Sequence, residues 1–210
     1  MKQAMSFIAV AILLGSAATP AFAHPFELGI TIEPSIAGLP AFADSKSIPT
    51  TAIAAGGGVG FEFAPLKYLA LTTRVAYVHA LSDSKIGEAS IGTLKGTYYV
   101  SQDAAYALAG VRLETPIWWI PVQFFVSPQG GIAILIQDQP QLFNEVGSPY
   151  VIPPTTTVRV TPLIDISGGI FGRVSDHVRL NAEGSAFIMP TGRTLIGFGV
   201  TIGITFLFFG

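Results

Sequence analysis

Catalytic chemistry would have to start from bases and nucleophiles, and in this chain these are few and scattered. The imidazoles are His24, His79 and His177, and there is no cysteine. A hydroxyl nucleophile needs a base within hydrogen-bond reach. After His177 the chain reads Val178-Arg179-Leu180-Asn181, with no hydroxyl among them. Ser185 follows eight residues after His177, about 26 Å along an extended strand. Three dispersed histidines without cysteine make no metal constellation, and nothing in the chain calls for a cofactor. The run Gly56-Gly57-Gly58 has no following lysine or helix, so it is no phosphate loop and reads as close packing or a bend. What the chain does carry is spaced charge of both signs: Glu27, Glu33, Glu62, Arg74, Arg112, Glu114, Arg159, Asp165, Arg179 and Glu183. Such a set has two uses, an ion path or a mutually neutralised network. The elements that hold the charges decide between them.

The chain has 210 residues, half of them hydrophobic and only 11% charged, where a soluble domain carries about a quarter charged. The N-terminus has the three parts of a secretory signal peptide: Lys2, the apolar run Phe7 to Leu14, and Ala21-Phe22-Ala23 as an A-x-A cleavage site. The expected domains are therefore a signal peptide over 1–23 and a mature unit over 24–210. No cysteine follows the small residues, so there is no site for a lipid anchor, a disulfide framework or a thiolate metal centre. Without Lys2, 10 basic residues face 13 acidic ones, a formal charge of −3. No basic stripe exists, which argues against nucleic acid as a partner.

Beyond residue 23 the apolar residues alternate at period 2. The last segment sets Ile196, Phe198, Val200, Ile202, Ile204, Phe206 and Phe208 against small, hydroxylated or inward residues between them. A helix would scatter both sets around its circumference. A strand with lipid on one side and a packed lumen on the other needs this pattern. The alternation predicts strands near 26–38, 52–64, 68–80, 103–115, 122–136, 156–171, 177–189 and 194–209. Each is long enough for a tilted spanning strand of about 9–11 residues. All ten charges fall on the inward register, as they must if an outward charge costs roughly 2–4 kcal/mol at the bilayer midplane. The expected fold is all-β: a transmembrane antiparallel up-and-down barrel of about eight strands, following a cleaved signal peptide.

Short links (Pro65-Leu66-Lys67, Pro116 to Pro121, Gly172 to Asp176) alternate with long ones near 39–51, 81–102 and 137–155. That asymmetry puts the termini in the periplasm and the long loops outside. Trp118 and Trp119 suit an interfacial girdle. His79 reads as an interfacial side chain near the outer end of the third strand, and His177 as a lumen residue near a turn. The charges Glu33, Glu62, Arg74, Arg112, Glu114, Arg159, Asp165, Arg179 and Glu183 are expected to pair within the lumen, because an unpaired buried charge costs several kcal/mol. Pro128 and Pro162 fall within the fifth and sixth strands, and proline donates no ladder hydrogen bond. They predict either bulges or a weak lateral seam between those strands.

The C-terminal Thr201-Ile202-Gly203-Ile204-Thr205-Phe206-Leu207-Phe208 is similar to the signal by which the barrel-assembly machinery recognises outer-membrane substrates: polar, any, Gly, any, any, aromatic, any, aromatic. Thr201, Gly203, Phe206 and Phe208 fill its specified positions, although the usual pattern ends on the aromatic residue and this chain adds Phe209 and Gly210. In pattern the mature chain resembles the small outer-membrane barrels of OmpA, OmpX and OmpW type. The resemblance implies residence in the outer membrane of a Gram-negative-type bacterium. Its implied partners are outer-membrane lipids, lipopolysaccharide and the assembly machinery. A family of lipid A deacylases within that class carries His-x-Ser-Asn, and Arg179 stands where the serine would be. A non-enzymatic barrel acting structurally or through its outer loops is therefore the first reading. A channel or lateral gate for small apolar molecules is the second, and a lipid-modifying enzyme the third.

Overall fold

The structure is a computed structural model, and it describes residues 26–40, 51–66, 68–81, 84–91, 94–116, 122–138, 141–143, 149–150, 156–190 and 194–208. Residues 1–23, His24, Trp118 and Trp119 lie outside the described residues.

Eight long strands close into a barrel: β1 (Glu27–Pro40), β2 (Thr51–Leu66), β3 (Leu69–Ala80), β6 (Gln102–Pro116), β7 (Val122–Asp138), β10 (Thr156–Ser175), β11 (Val178–Pro190) and β12 (Thr194–Phe208). Every neighbouring pair is antiparallel, and β1 seals the barrel against β12 with Leu28 opposite Phe208. Each strand expected from period-2 alternation is present, with ends moved by a few residues. β10 departs most, running to Ser175 and leaving only Asp176 and His177 for its turn. The remaining strands, β4 (Ser84–Ile91), β5 (Leu94–Val100), β8 (Gln141–Phe143) and β9 (Pro149–Tyr150), fall in segments expected to be loop. They pair in the order β4-β5-β8-β9 as a second sheet. Sequence alternation does not mark them, because no lipid face imposes it there.

The barrel wall sorts side chains by parity. Val75, Phe124, Val158, Phe198 and Ile202 are among the outward residues that are more than half exposed, whereas Glu33, Arg74, Asp165 and Arg179 are buried inside. An exterior of this kind is stable against hydrocarbon and unstable against water.

A cylinder this narrow bends its strands sharply, and two glycines show where. A Cβ on Gly56 would lie 2.0 Å from the Tyr77 carbonyl oxygen, and one on Gly131 would lie 1.9 Å from that of Ala107. At these points neighbouring backbone occupies the place of a side chain, which is the close packing or bend expected for Gly56-Gly57-Gly58.

The prolines are a correction. β7 and β10 pair without interruption through 17 residue pairs, from Asp138–Thr156 to Val122–Gly172. Pro162 is opposite Ile132 and Pro128 opposite Ile166, so the two do not face each other and no bulge marks either. There is no seam between these strands, because each missing donor points to the other neighbour. On the β6 side, pairing lapses between Gly110–Gln129 and Leu113–Val126 without changing register, so Val111 is the carbonyl that Pro128 cannot serve. The Ser127 hydroxyl donates to that carbonyl at 3.1 Å. Lipid could not have done so, and an orphan backbone group there would be costly. Pro162 lies just above the last β10–β11 pair, Ile164–Ile188. Continued upward, that register would set it against Pro190, so two prolines end the ladder where β11 itself ends.

Ser127→Ala should therefore destabilise the barrel by about 1–3 kcal/mol, the cost of a buried acceptor left without a donor. Adding Pro128→Val, which supplies a backbone N–H at the same carbonyl, should recover part of that loss. Urea titration of folded protein in lipid vesicles reads both, and equal stabilities for wild type and Ser127→Ala would refute the assignment.

Candidate functional site

Three ion-pair groups occupy the half of the lumen nearer the short turns. Nearest the turn at Asp176–His177, Arg173 of β10 donates to both oxygens of Glu27 at 2.7 and 2.8 Å. Next, Glu62 accepts from Arg112 at 2.6 Å and from Arg179, while Arg112 also reaches Glu114 at 2.8 Å. Phe171 packs beneath both guanidinium groups, 4.5 Å from Arg179 and 5.4 Å from Arg112, which adds cation–π attraction. At mid-height Arg74 is shared by Glu33 at 2.7 Å, Glu183 at 2.8 Å and Asp165 at 3.8 Å. These contacts join β1, β2, β3, β6, β10 and β11, so the network ties strands that share no backbone ladder. Between the second and third groups lies a cavity of about 20 Å³ lined by Thr31, Glu33, Thr72, Arg74, Gln129 and Glu183. That is room for about one water.

The half of the lumen nearer the long loops is apolar. Leu39, Val78, Leu108, Leu135, Leu163 and Met189 form one buried cluster there. Phe187 and Tyr106 extend it downward, with ring centroids 5.8 Å apart. Sequence reasoning missed this stopper: inward positions were expected to be small or hydroxylated, and its leucines look like interruptions of the alternation.

Of the ten charges set on the inward register, Arg159 is the exception. Its register is inward, but β10 has by then risen past the end of β11, and the residue is exposed. It belongs to the outer rim and not to the lumen network. His177 is also exposed, in the turn and not in the lumen. Its backbone N–H donates to the Ser175 hydroxyl at 3.3 Å. Arg173 escaped the sequence reading because the sixth strand was expected to end at Phe171. Thr201 and Gly203 face inward and Phe206 and Phe208 outward. A Cβ at Gly203 would sit 2.3 Å from Asn181 Oδ1, so that glycine has a packing reason of its own. Pro128 and Pro162 lie on the lipid side, without a seam.

A second polar cluster sits on the outer face near the rim. Asp103 of β6 accepts from the Tyr77 hydroxyl at 2.6 Å and pairs with His79 Nδ1 at 2.8 Å. The Ala80 N–H points at the same carboxylate at 3.4 Å. Asp103 is an outward charge that the alternation argument overlooked. It stands at the second residue of its strand, where Tyr77, His79 and the Ala80 N–H surround its carboxylate. Among the described residues, no group of three or more His, Cys, Asp or Glu could hold a metal ion.

No protein-family model matches the chain, and no curated protein does. Solved structures do. Neisserial surface protein A aligns with 85% of this chain and 96% of its own at a TM-score of 0.59 and 8% identity. Ail, the attachment invasion locus protein of Yersinia pestis, aligns with 88% of this chain and all of its own at 0.53 and 8%. The same protein in complex with the heparin analogue sucrose octasulfate gives the same values. The likeness speaks for the fold, which is that of the small eight-stranded outer-membrane barrels of Gram-negative bacteria.

The distribution of charge at mid-height sets an order among substitutions. One guanidinium faces three carboxylates, and neither oxygen of Asp165 accepts a hydrogen bond among the described residues. Arg74→Met should destabilise the barrel by about 3–5 kcal/mol, because it strands buried carboxylates. Asp165→Asn should be neutral or stabilising, because it removes the worst-paired charge. Unfolding midpoints in vesicles check the order, and a larger loss for Asp165→Asn would invert the charge assignment.

Proposed function

We propose that this outer-membrane barrel is a non-enzymatic anchor whose outer loops act at the cell surface. The observation that carries this reading is the second sheet. β4 and β5 arise from the β3–β6 link, and β8 and β9 from the β7–β10 link. Both links leave the same end of the barrel, so two loops distant in sequence combine into one structured platform. β6, β7 and β10 also rise toward it, with pairs continuing to Gln102–Gln137 and Asp138–Thr156. A chain that needed only to span the membrane would have no use for such a structure. Loops on a rigid scaffold are where binding function usually resides. The Ail structure with a heparin analogue supports this by analogy, since a barrel of this shape presents ligand-binding surface.

The channel reading is weaker on the same geometry. An ion would have to pass a leucine-rich stopper and then three paired charge clusters, with a cavity the size of one water between two of them. The enzyme reading gains nothing from the histidines: the His79 ring holds a carboxylate, and the Ser175 hydroxyl meets the backbone N–H of His177. Cleavage after Ala23, the outward orientation of the long loops and recognition through Thr201, Gly203, Phe206 and Phe208 belong to the same proposal.

Lys85 and Lys95 lie on the β4–β5 hairpin. They should react with a membrane-impermeant amine reagent on intact cells, with mass spectrometry locating the label. Replacing 82–101 and 139–155 by short Gly-Ser linkers should leave the heat-modifiable gel shift intact. It should also abolish any retention of whole cells on immobilised matrix proteins that the full chain confers. Labelling only after lysis would reverse the orientation, and discrete single-channel steps in a planar bilayer would revive the pore.

Replacing Phe206 and Phe208 together by serine should lower the yield of folded barrel in the outer membrane and expose the chain to periplasmic proteases. Two lipid-facing rings and a recognition element would be lost at once. Wild-type yield would count against the motif.

A further inference from the structure

The outward face of β1, β2 and β3 is not evenly covered. Where β2 carries Gly56-Gly57-Gly58, side chains are absent and the wall is bare backbone, with the Glu33 carbonyl oxygen 3.0 Å from where a Gly57 Cβ would be. Ile32 and Pro34 border this strip on one side, Val75 and Tyr77 on the other, and Val59 closes its lower end. Together they outline an open apolar groove of about 630 Å³. That volume falls within the span of small-ligand sites, about 300–1,000 Å³. The groove lies in the upper half of the wall and is continuous with the lipid-facing belt, so what enters it is hydrocarbon.

Its upper end is polar. Tyr77 lines the groove and donates its hydroxyl to Asp103 at 2.6 Å. His79, two residues or about 7 Å further along β3, holds Nδ1 against the same carboxylate at 2.8 Å. A carboxylate can only accept, so Nδ1 carries the proton and Nε2, on the far side of the ring, is left to face other partners. His79 is exposed, with 61% of its side chain accessible. The groove therefore runs from apolar depth to a polar cluster in which the Asp103 carboxylate accepts and the His79 ring stands exposed beside it. A phosphate set directly against Asp103 would be repelled. A headgroup rich in hydroxyl and amide N–H donors would be satisfied.

We propose that this groove binds one sugar-headed lipid of the outer leaflet, with an acyl chain against Gly56–Gly58 and the sugar's hydroxyl or amide groups on His79 and Asp103. The proposal rests on the outer-membrane reading and on the outward orientation of the long loops, but not on the loop platform, because none of these residues lies within 82–101 or 139–155.

The test is native mass spectrometry of the full mature barrel in mild detergent, titrated with lipid A and separately with phosphatidylcholine, which has no headgroup donor. Wild type should bind one lipid A in preference to phosphatidylcholine. His79→Ala and Asp103→Ala should each weaken lipid A binding about tenfold, as expected for one lost hydrogen bond in a partly desolvated site. Val59→Trp, which fills the lower groove from outside the wall, should weaken it comparably. Ile166→Trp, on the lipid face of β10 across the barrel, should leave it unchanged. Equal binding of the two lipids would overturn the site, as would equal affinity across wild type and the groove variants, or an equal loss in Ile166→Trp. Because each variant is scored on its heat-modifiable folded fraction, failure to insert would count against the outer-membrane reading and not against the groove. The loop-deleted barrel should bind lipid A as wild type does.

Discussion

Hydrocarbon offers no hydrogen bond and no counter-charge, and most of this structure is a consequence of that. A chain crossing it must close its ladder on itself, so β12 returns to β1. It must also turn every charge away from lipid, and in a strand the only other direction is the lumen. Eight strands leave a lumen that side chains can fill. The charges there cannot be left in water-filled space and must find one another. Confining charged residues to a narrow interior is thus enough to produce the ion-pair network, and it needs no transport function to explain it.

The same confinement explains why the lumen divides along its length. The half nearer the short turns holds arginines shared among carboxylates, braced by Phe171 and Phe125. The half nearer the long loops holds leucines and a methionine. Ion pairs are directional and fix which strands sit opposite one another. Aliphatic side chains fill volume without demanding partners. Together they make a solid rod within a β-sheet wall, polar at one end and apolar at the other. The second sheet, which rises from the apolar end, thus stands on a rigid base.

The eight spanning strands are legible in the sequence because lipid enforces parity residue by residue, and Phe198 to Phe206 displays it without interruption. The features that are not legible have definite reasons. β4, β5, β8 and β9 have no lipid face, so nothing stamps an alternation on them. Leu135 and Leu163 face inward and are as apolar as their outward neighbours, so the stopper reads as noise. Arg173 is lost to a strand end set four residues short. The partnership of His79 with Asp103 joins two strands across 24 residues, and one sequence does not reveal register. The prolines do mark missing donors, but they do not mark a shared seam. Which neighbour a given N–H faces depends on hydrogen-bonding phase, and parity of hydrophobicity carries no information about that phase. The repair by Ser127, one residue away, becomes meaningful only once Val111 is known to lie opposite.

The glycines at 56 and 131 bear on how such a protein can change over generations. Elsewhere in the wall, a substitution that keeps parity trades one oily or one small residue for another, and the barrel persists. Shape can therefore outlast wording, and 8% identity to Neisserial surface protein A over nearly its whole length is compatible with one architecture. At Gly56 and Gly131 the neighbouring carbonyl oxygen already stands where the first side-chain carbon would go. No change of environment or partner can make room for it, since the obstacle is backbone and backbone has no alternative residue to offer. A lineage drifting freely across its lipid face is therefore pinned at a few silent positions that carry no chemistry at all.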